Sequence, residues 1–338
     1  MINKFIHFLE ISGLTWFVPM ARLASGEDPK EQLKQLWMVM GIPILAFAIF
    51  LALWGQLSSK VETSLGTIPG PSQVMEQAKG LWQDHRYQRE KQNAFYERQE
   101  KRNAKYEAQG KLDKIKWREY TGAPTYIDQI WTSIKTVFMG FLIATVVAVP
   151  LGILCGLSTT FNAAMNPIIQ LFKPVSPLAW LPIVTMVVSA TYVTTDDALF
   201  SKSFLNSAIT VTLCSLWPTL INTALGVASI DKDLMNVGKV LQLGWFTKVT
   251  KLVLPSSLPL IFTGLRLSLG VGWMVLIAAE MLAQNPGLGK FVWDEFQNGS
   301  SNSLGRIMVA VLTIGIIGFL LDRLMFTLQN LFTFSDKR

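Results

Sequence analysis

Residues 228–259 read ASIDKDLMNVGKVLQLGWFTKVTKLVLPSSLP. Leu234, Val237, Val240, Leu241 and Trp245 recur at helical spacing and predict a short amphipathic helix. Asp231 or Asp233 suits its start, where backbone N–H groups have no partner and favour an acceptor. Gly244 suits its end. Pro255 and Pro259 mark the return to an apolar segment. Lys232, Lys239 and Lys248 give the stretch a basic rim. A helix of this kind has to bury its apolar face, either on lipid or in the groove of a partner.

On both sides of that stretch the chain turns strongly apolar. Six segments approach the roughly 20 residues that a bilayer crossing needs: 36–54, 133–157, 167–190, 203–227, 260–283 and 307–332. The third is interrupted by Lys173, Pro174, Pro177 and Pro182 and predicts either a kinked packing helix or one lining a cavity. Only 16% of the 338 residues are charged, half are hydrophobic, and the mean hydropathy is +0.35. Soluble domains carry about 25% charged residues. A soluble globular enzyme is therefore excluded as the default reading, and a multi-span, all-α membrane protein takes its place.

Basic residues set the expected orientation. Lys4, Arg22, Lys30 and Lys34 lie in 1–35, and Lys232, Lys239, Lys248 and Lys251 in 228–259. The short loops of the other side hold only Lys202 and Lys290, with Arg306 at a border. Positive charge gathers on the cytoplasmic side, which predicts both termini inside. Loop 55–132 has 13 Lys/Arg and 10 acidic residues, but long loops translocate largely regardless of charge. Within it, 84–119 mixes both signs at helix-surface spacing and predicts a solvated helix outside the membrane, with a partner-docking surface as the sharper alternative. Residues 1–35 predict a cytoplasmic amphipathic segment, with an interfacial helix over 2–18 that ends at Pro19. Residues 333–338 are the expected cytoplasmic tail.

Several chemistries are missing. Cys155 and Cys214 sit in apolar runs, and His7 and His85 show no ligand spacing, so neither a metal site nor a catalytic residue is expected. The string NPGLGKF at 285–291 lacks the spacing and the hydroxyl of a phosphate loop. The net charge of +7 fits membrane flanks, and no nucleic-acid partner is expected. Uphill transport would draw on an ion gradient or on another subunit.

The opening stretch resembles the cytoplasmic loop of binding-protein-dependent ABC-transporter permeases. That pattern is E-A-A, three residues, Gly, nine residues, Ile, one residue, Leu-Pro. Leu254 and Pro255 match the Leu-Pro, Leu252 stands at the Ile, Gln242 at the Gly, and Asn236-Val237-Gly238 at the E-A-A. The segments IPGPSQVMEQAKGLW (68–82), NPIIQLFKPVSPLAWLPIV (166–184), IFTGLRLSLGVGWMVLIAAEML (261–282) and GLGKFVWDEF (287–296) resemble the nitrate/sulfonate/taurine branch, nitrate permeases above all. The likeness covers about residues 36–332, and 84–119 reads as an insertion.

The resemblance implies a type I importer-like fold of six spans with a coupling helix in 228–259. It implies two permease copies in a bacterial inner membrane, expected to be a homodimer. ATP and Mg would be held by separate ATP-binding subunits docked on Asp231 to Trp245, and a periplasmic or lipid-anchored binding protein would deliver the substrate. Nitrate is the expected substrate, with nitrite sharing its path. Bicarbonate, cyanate, taurine and alkanesulfonates are alternatives, and a secondary transporter or channel is a further one.

An anion path draws on few donors in a low-dielectric wall. Lys173 and Arg266 are the expected charged pathway residues, and Trp180, Met186, Trp217, Thr219, Trp273 and Met274 the expected neutral ones. Glu280, Asp322 and Arg323 are ionisable groups within spans. Gly264, Gly270, Gly272, Gly315 and Gly318 are expected at close helix contacts.

Overall fold

The computed structural model describes residues 6, 9, 15–26, 28–63, 66–193 and 199–333. The interfacial helix expected over 2–18 and the tail 334–338 lie largely outside them. Helix α1 (Val18–Ala24) carries Pro19 in its first turn, so this proline starts a helix rather than ending one. Its ring locks φ near the helical value, and the N–H it lacks has no use in a first turn. Helix α2 (Pro29–Ser58) is longer than the expected 36–54. A two-residue ladder, Glu62–Thr63 against Gly66–Thr67, follows it.

Helix α3 (Pro71–Ala108) runs unbroken for 38 residues, about 57 Å at 1.5 Å per residue. Val74 and Leu81 join the main apolar core. Farther along, His85 Nδ1 lies 2.7 Å from Thr125 Oγ1, and Arg89 pairs with Asp128. The charged stretch 84–119 is therefore not one helix. Its helical part ends at Ala108, and Gly110 turns at a φ of 69°. The chain then returns as a strap along α3. Gln99 exchanges two hydrogen bonds with the Arg118 backbone at 2.8 and 3.1 Å, and Asn103 donates to Lys116 O at 3.0 Å.

Helices α4 (Tyr126–Leu157) and α7 (Lys202–Ala228) form the centre. Thr125 and Asp128 close a capping box at the α4 start, and Ser201 caps α7. Gly140 faces Ala208 and Val211, Gly152 faces Leu220 and Thr223, and Gly156 faces Ala224 and Val227. The constant offset means that α4 and α7 run parallel. A Cβ on any of these glycines would sit 2.7 or 2.8 Å from an α7 carbonyl oxygen. Small residues thus let the two backbones meet, the usual device where lipid supplies no hydrophobic drive between helices. Of the glycines expected at contacts, Gly264 opposes Pro218 and Thr219 of α7 and Gly318 lies under Trp273, whereas Gly270 and Gly315 face open space.

Because α4 and α7 are parallel, the chain between them has to cross back. It does so as α5 (Thr159–Phe172) and α6 (Pro177–Thr191), bent by 101° at residues 173–176. Pro174 and Pro177 remove donors at the break, and Ser176 caps the restart by accepting from Leu178 N at 3.3 Å. The segment expected over 167–190 is therefore a broken span that begins earlier, at Thr159. Helix α8 (Lys232–Val240) leads to α9 (Trp245–Ala283), which packs antiparallel on α7. Helix α10 (Leu288–Asn298) turns into α11 (Ser303–Thr333). Helix α9 passes through both Pro255 and Pro259. A π-helical stretch over Val249–Val253 absorbs the first of them.

Candidate functional site

Helix α8 sits where the sequence places it and starts as expected, but it ends earlier. Asp231 is the cap, accepting from Asp233 N at 2.9 Å. The C-terminus falls at Leu241 rather than Gly244. Gln242 takes the left-handed conformation at φ 49°. Leu243 N reaches Gly238 O at 3.1 Å, and Gln242 N reaches Lys239 O at 3.0 Å. These two bonds are a Schellman closure, which favours glycine at the left-handed residue. Gln242 stands at the glycine of the permease pattern, so the turn keeps its shape against a steric cost of about 1–2 kcal/mol. Gly244, at φ −59°, instead precedes the first turn of α9.

The two faces of α8 have different fates. Met235 packs towards Ile153, Val227, Leu252 and Val253, at the joint of α4, α7 and α9. A Cβ on Gly238 would lie 3.2 Å from Leu252 Cδ1. This contact explains why the pattern pairs a small residue with a branched apolar one across the turn. The opposite face is bare. Leu234, Val237, Leu241 and Trp245 are exposed, Val240 is 81% and Phe246 73% exposed. Lys232 and Lys239 are exposed on the same helix. Leu254 and Pro255 continue α9 behind it, and Lys248 closes its first turns. The chain thus offers an apolar surface with a basic rim, fixed to three spans through Gly238 and Met235.

The expected pathway residues fall into four groups, though Arg266 lines one cavity with Trp273 and another with Met274. Lys173 lies exposed in the α5–α6 break. Beside it, the Phe172 ring stacks on Trp217 at 6.4 Å and meets Trp180 at 5.6 Å. Both indole N–H groups lack an acceptor among the described residues. Thr219 and Trp273 are engaged inside the fold. Thr219 Oγ1 bonds Ser268 Oγ at 2.7 Å, and Trp273 Nε1 donates to Ile314 O at 3.0 Å. Met186 and Met274 are exposed on outer faces of α6 and α9.

Arg266 forms a two-pronged pair with Asp322 of α11, at 2.5 Å from Nε and 2.8 Å from Nη2. Arg323 adds a third bond to the same carboxylate at 3.1 Å. Two guanidinium groups thus share one acid between two spans.

At the end opposite α8, Glu280 is fully buried. Its carboxylate accepts from Ser133 Oγ at 2.8 Å and from Gly289 N at 3.0 Å, while Leu288 N donates to Ser133 Oγ at 2.8 Å. A Cβ on Gly287 would lie 2.1 Å from Glu280 Oε1, and one on Gly289 would lie 2.1 Å from Ile277 O. The glycines of NPGLGKF therefore make room around a carboxylate rather than around a phosphate. Sequence reasoning missed this lock, because Ser133 and Glu280 are 147 positions apart. Among the described residues no three His, Cys, Asp or Glu converge as a metal site.

Comparison with known proteins adds identity to this geometry. The family described as binding-protein-dependent transport system inner membrane component matches residues 148–333. The nitrate import permease protein NrtB of Leptolyngbya laminosa is 37% identical over 196 residues, 58% of this chain and 65% of that one. The protein of that name from Synechocystis is 32% identical over 296 residues, 88% of this chain and 90% of its own. The Synechocystis bicarbonate transport system permease protein CmpB is 34% identical over 291 residues, 86% of this chain and 87% of its own.

Proposed function

This chain belongs to the binding-protein-dependent transport system inner membrane components, and from that premise we propose that it carries nitrate across a bacterial inner membrane as one permease of an ATP-driven importer. The chain is the membrane permease, not itself an enzyme. ATP and Mg belong to separate ATP-binding subunits, which seat on the bare face of α8. A periplasmic or lipid-anchored binding protein delivers the anion at the opposite end. A second copy completes the pathway as a homodimer, and the imported nitrate feeds assimilation.

The observation that carries this reading is the build of α8. Its inner face is packed into the ends of α4, α7 and α9, so force applied to its outer face reaches three spans as one body. Alternating access works by such rigid movement around a path. Nitrite, cyanate, taurine and alkanesulfonates stand behind nitrate as substrates. Bicarbonate is the second reading, favoured by the equal likeness to a bicarbonate permease. Nitrate and bicarbonate are both small, planar and singly charged, so a common path suits either and the delivering protein chooses between them.

Uptake into proteoliposomes holding this chain, its ATP-binding subunits and its binding protein decides the substrate. Nitrate is expected to enter with ATP and not without it. Entry of bicarbonate alone moves the reading to the second substrate. Entry without ATP-binding subunits overturns the importer and favours a secondary transporter or channel.

A further inference from the structure

A cavity of about 550 Å³ opens at the end of the molecule opposite α8. Thr132, Lys135 and Phe138 of α4 form one wall, Ser201 and Phe204 the second, and Asn285 closes it from the α9–α10 turn. Among the described residues Lys135 is the only charged one lining it. No acid pairs with Lys135 among the described residues, and its ammonium lies 5.6 Å from the Trp131 ring. Glu280 does not line it, and its carboxylate is held by Ser133 and Gly289. Asn285 is buried and donates to Thr136 Oγ1 at 3.2 Å. Among the described residues the cavity therefore presents a single positive charge, with the Ser201 hydroxyl and the Phe138, Phe200 and Phe204 rings around it, while Thr132 Oγ1 donates to Asp128 O at 3.0 Å.

We infer that this cavity is the receiving site for a small, singly charged oxyanion, with Lys135 as its charge and Ser201 as its hydroxyl donor. The inference rests on the importer reading and gives the anion its first station on this chain. Its chemistry suits entry rather than storage. One ammonium in the lining attracts an anion from the mouth. The volume leaves room for several waters around a planar ion of nitrate size, so the ion keeps part of its hydration and leaves easily. A pocket with two or three cations would hold it.

The test uses the full chain in nanodiscs with Cys155→Ala and Cys214→Ala, carrying Thr132→Cys as a reporter. Its modification by a neutral methanethiosulfonate is timed in sodium nitrate, sodium bicarbonate and sodium gluconate. Nitrate or bicarbonate is expected to slow modification about tenfold relative to gluconate, and Lys135→Gln to remove that protection, as fits the loss of one close charge. Equal rates in all three salts overturn the site, as does protection that survives Lys135→Gln. In the assembled transporter Lys135→Gln is expected to slow ATP-driven anion uptake while Lys135→Arg restores it. If the wild type takes up no oxyanion, the importer reading fails, while the protection assay still decides the site.

Discussion

Replacing Gly289 with alanine is expected to leave little correctly folded chain. The added Cβ meets Ile277 O at 2.1 Å and Glu280 Cβ at 2.9 Å. The nearer atom is backbone of α9, so no rotamer change relieves it. Overpacking of this kind costs about 1–3 kcal/mol, and more where backbone has to move. Moving Gly289 also withdraws the N–H that Glu280 accepts at 3.0 Å, and an unsatisfied buried group adds about 1–3 kcal/mol. Together these approach the 5–15 kcal/mol that holds a typical fold. In detergent the apparent Tm is expected to fall by about 10 °C or more. Gly270→Ala is the control, since nothing lies within 4 Å of its Cβ, and it is expected to melt within a few degrees of the wild type. Equal melting of Gly289→Ala and the wild type contradicts the packing described at this end.

Asp322→Asn is expected to be the next most damaging change. It leaves Arg266 and Arg323 facing each other with no acid between α9 and α11. Breaking a buried pair costs about 3–5 kcal/mol, because the surviving charge stays desolvated. The two side chains are 32% and 37% exposed, and both guanidiniums lie 5.2 Å from the Phe326 ring, which brings the cost towards the lower figure. Arg266→Leu is expected to be milder, since Asp322 keeps Arg323. Melting temperatures are therefore expected in the order wild type, Arg266→Leu, Asp322→Asn. The reverse order of the two variants contradicts the sharing of one acid by two guanidiniums.

How much of this was legible depends on whether the signal was local. The spans were, because each is a run of apolar residues, and the broken third one was flagged by Lys173, Pro174 and Pro177. Helix α8 was legible from its period. Its end was not, because Gln242 takes a conformation that glycine usually fills, and Gly244 served as a decoy. The charged stretch 84–119 showed its helix but not its strap, since Gln99 and Arg118 meet only after the chain turns. The Gly152 and Gly156 pair of α4 carries a readable small-residue spacing as well. The Glu280 lock had no local signal, because its partners come from helices far apart in the chain.

The most direct test of the importer reading is retention of the ATP-binding subunit by purified permease, comparing wild type with Val237→Asp/Leu241→Asp. Val237 and Leu241 are exposed, on the face of α8 away from the span ends, so the variant is expected to insert and to melt like the wild type. Two carboxylates in an apolar groove remain unpaired and desolvated on docking, which costs several kcal/mol. The wild type is expected to retain the subunit and the variant to lose it. Retention by a folded variant equal to that of the wild type contradicts α8 as the point where ATP hydrolysis meets the membrane.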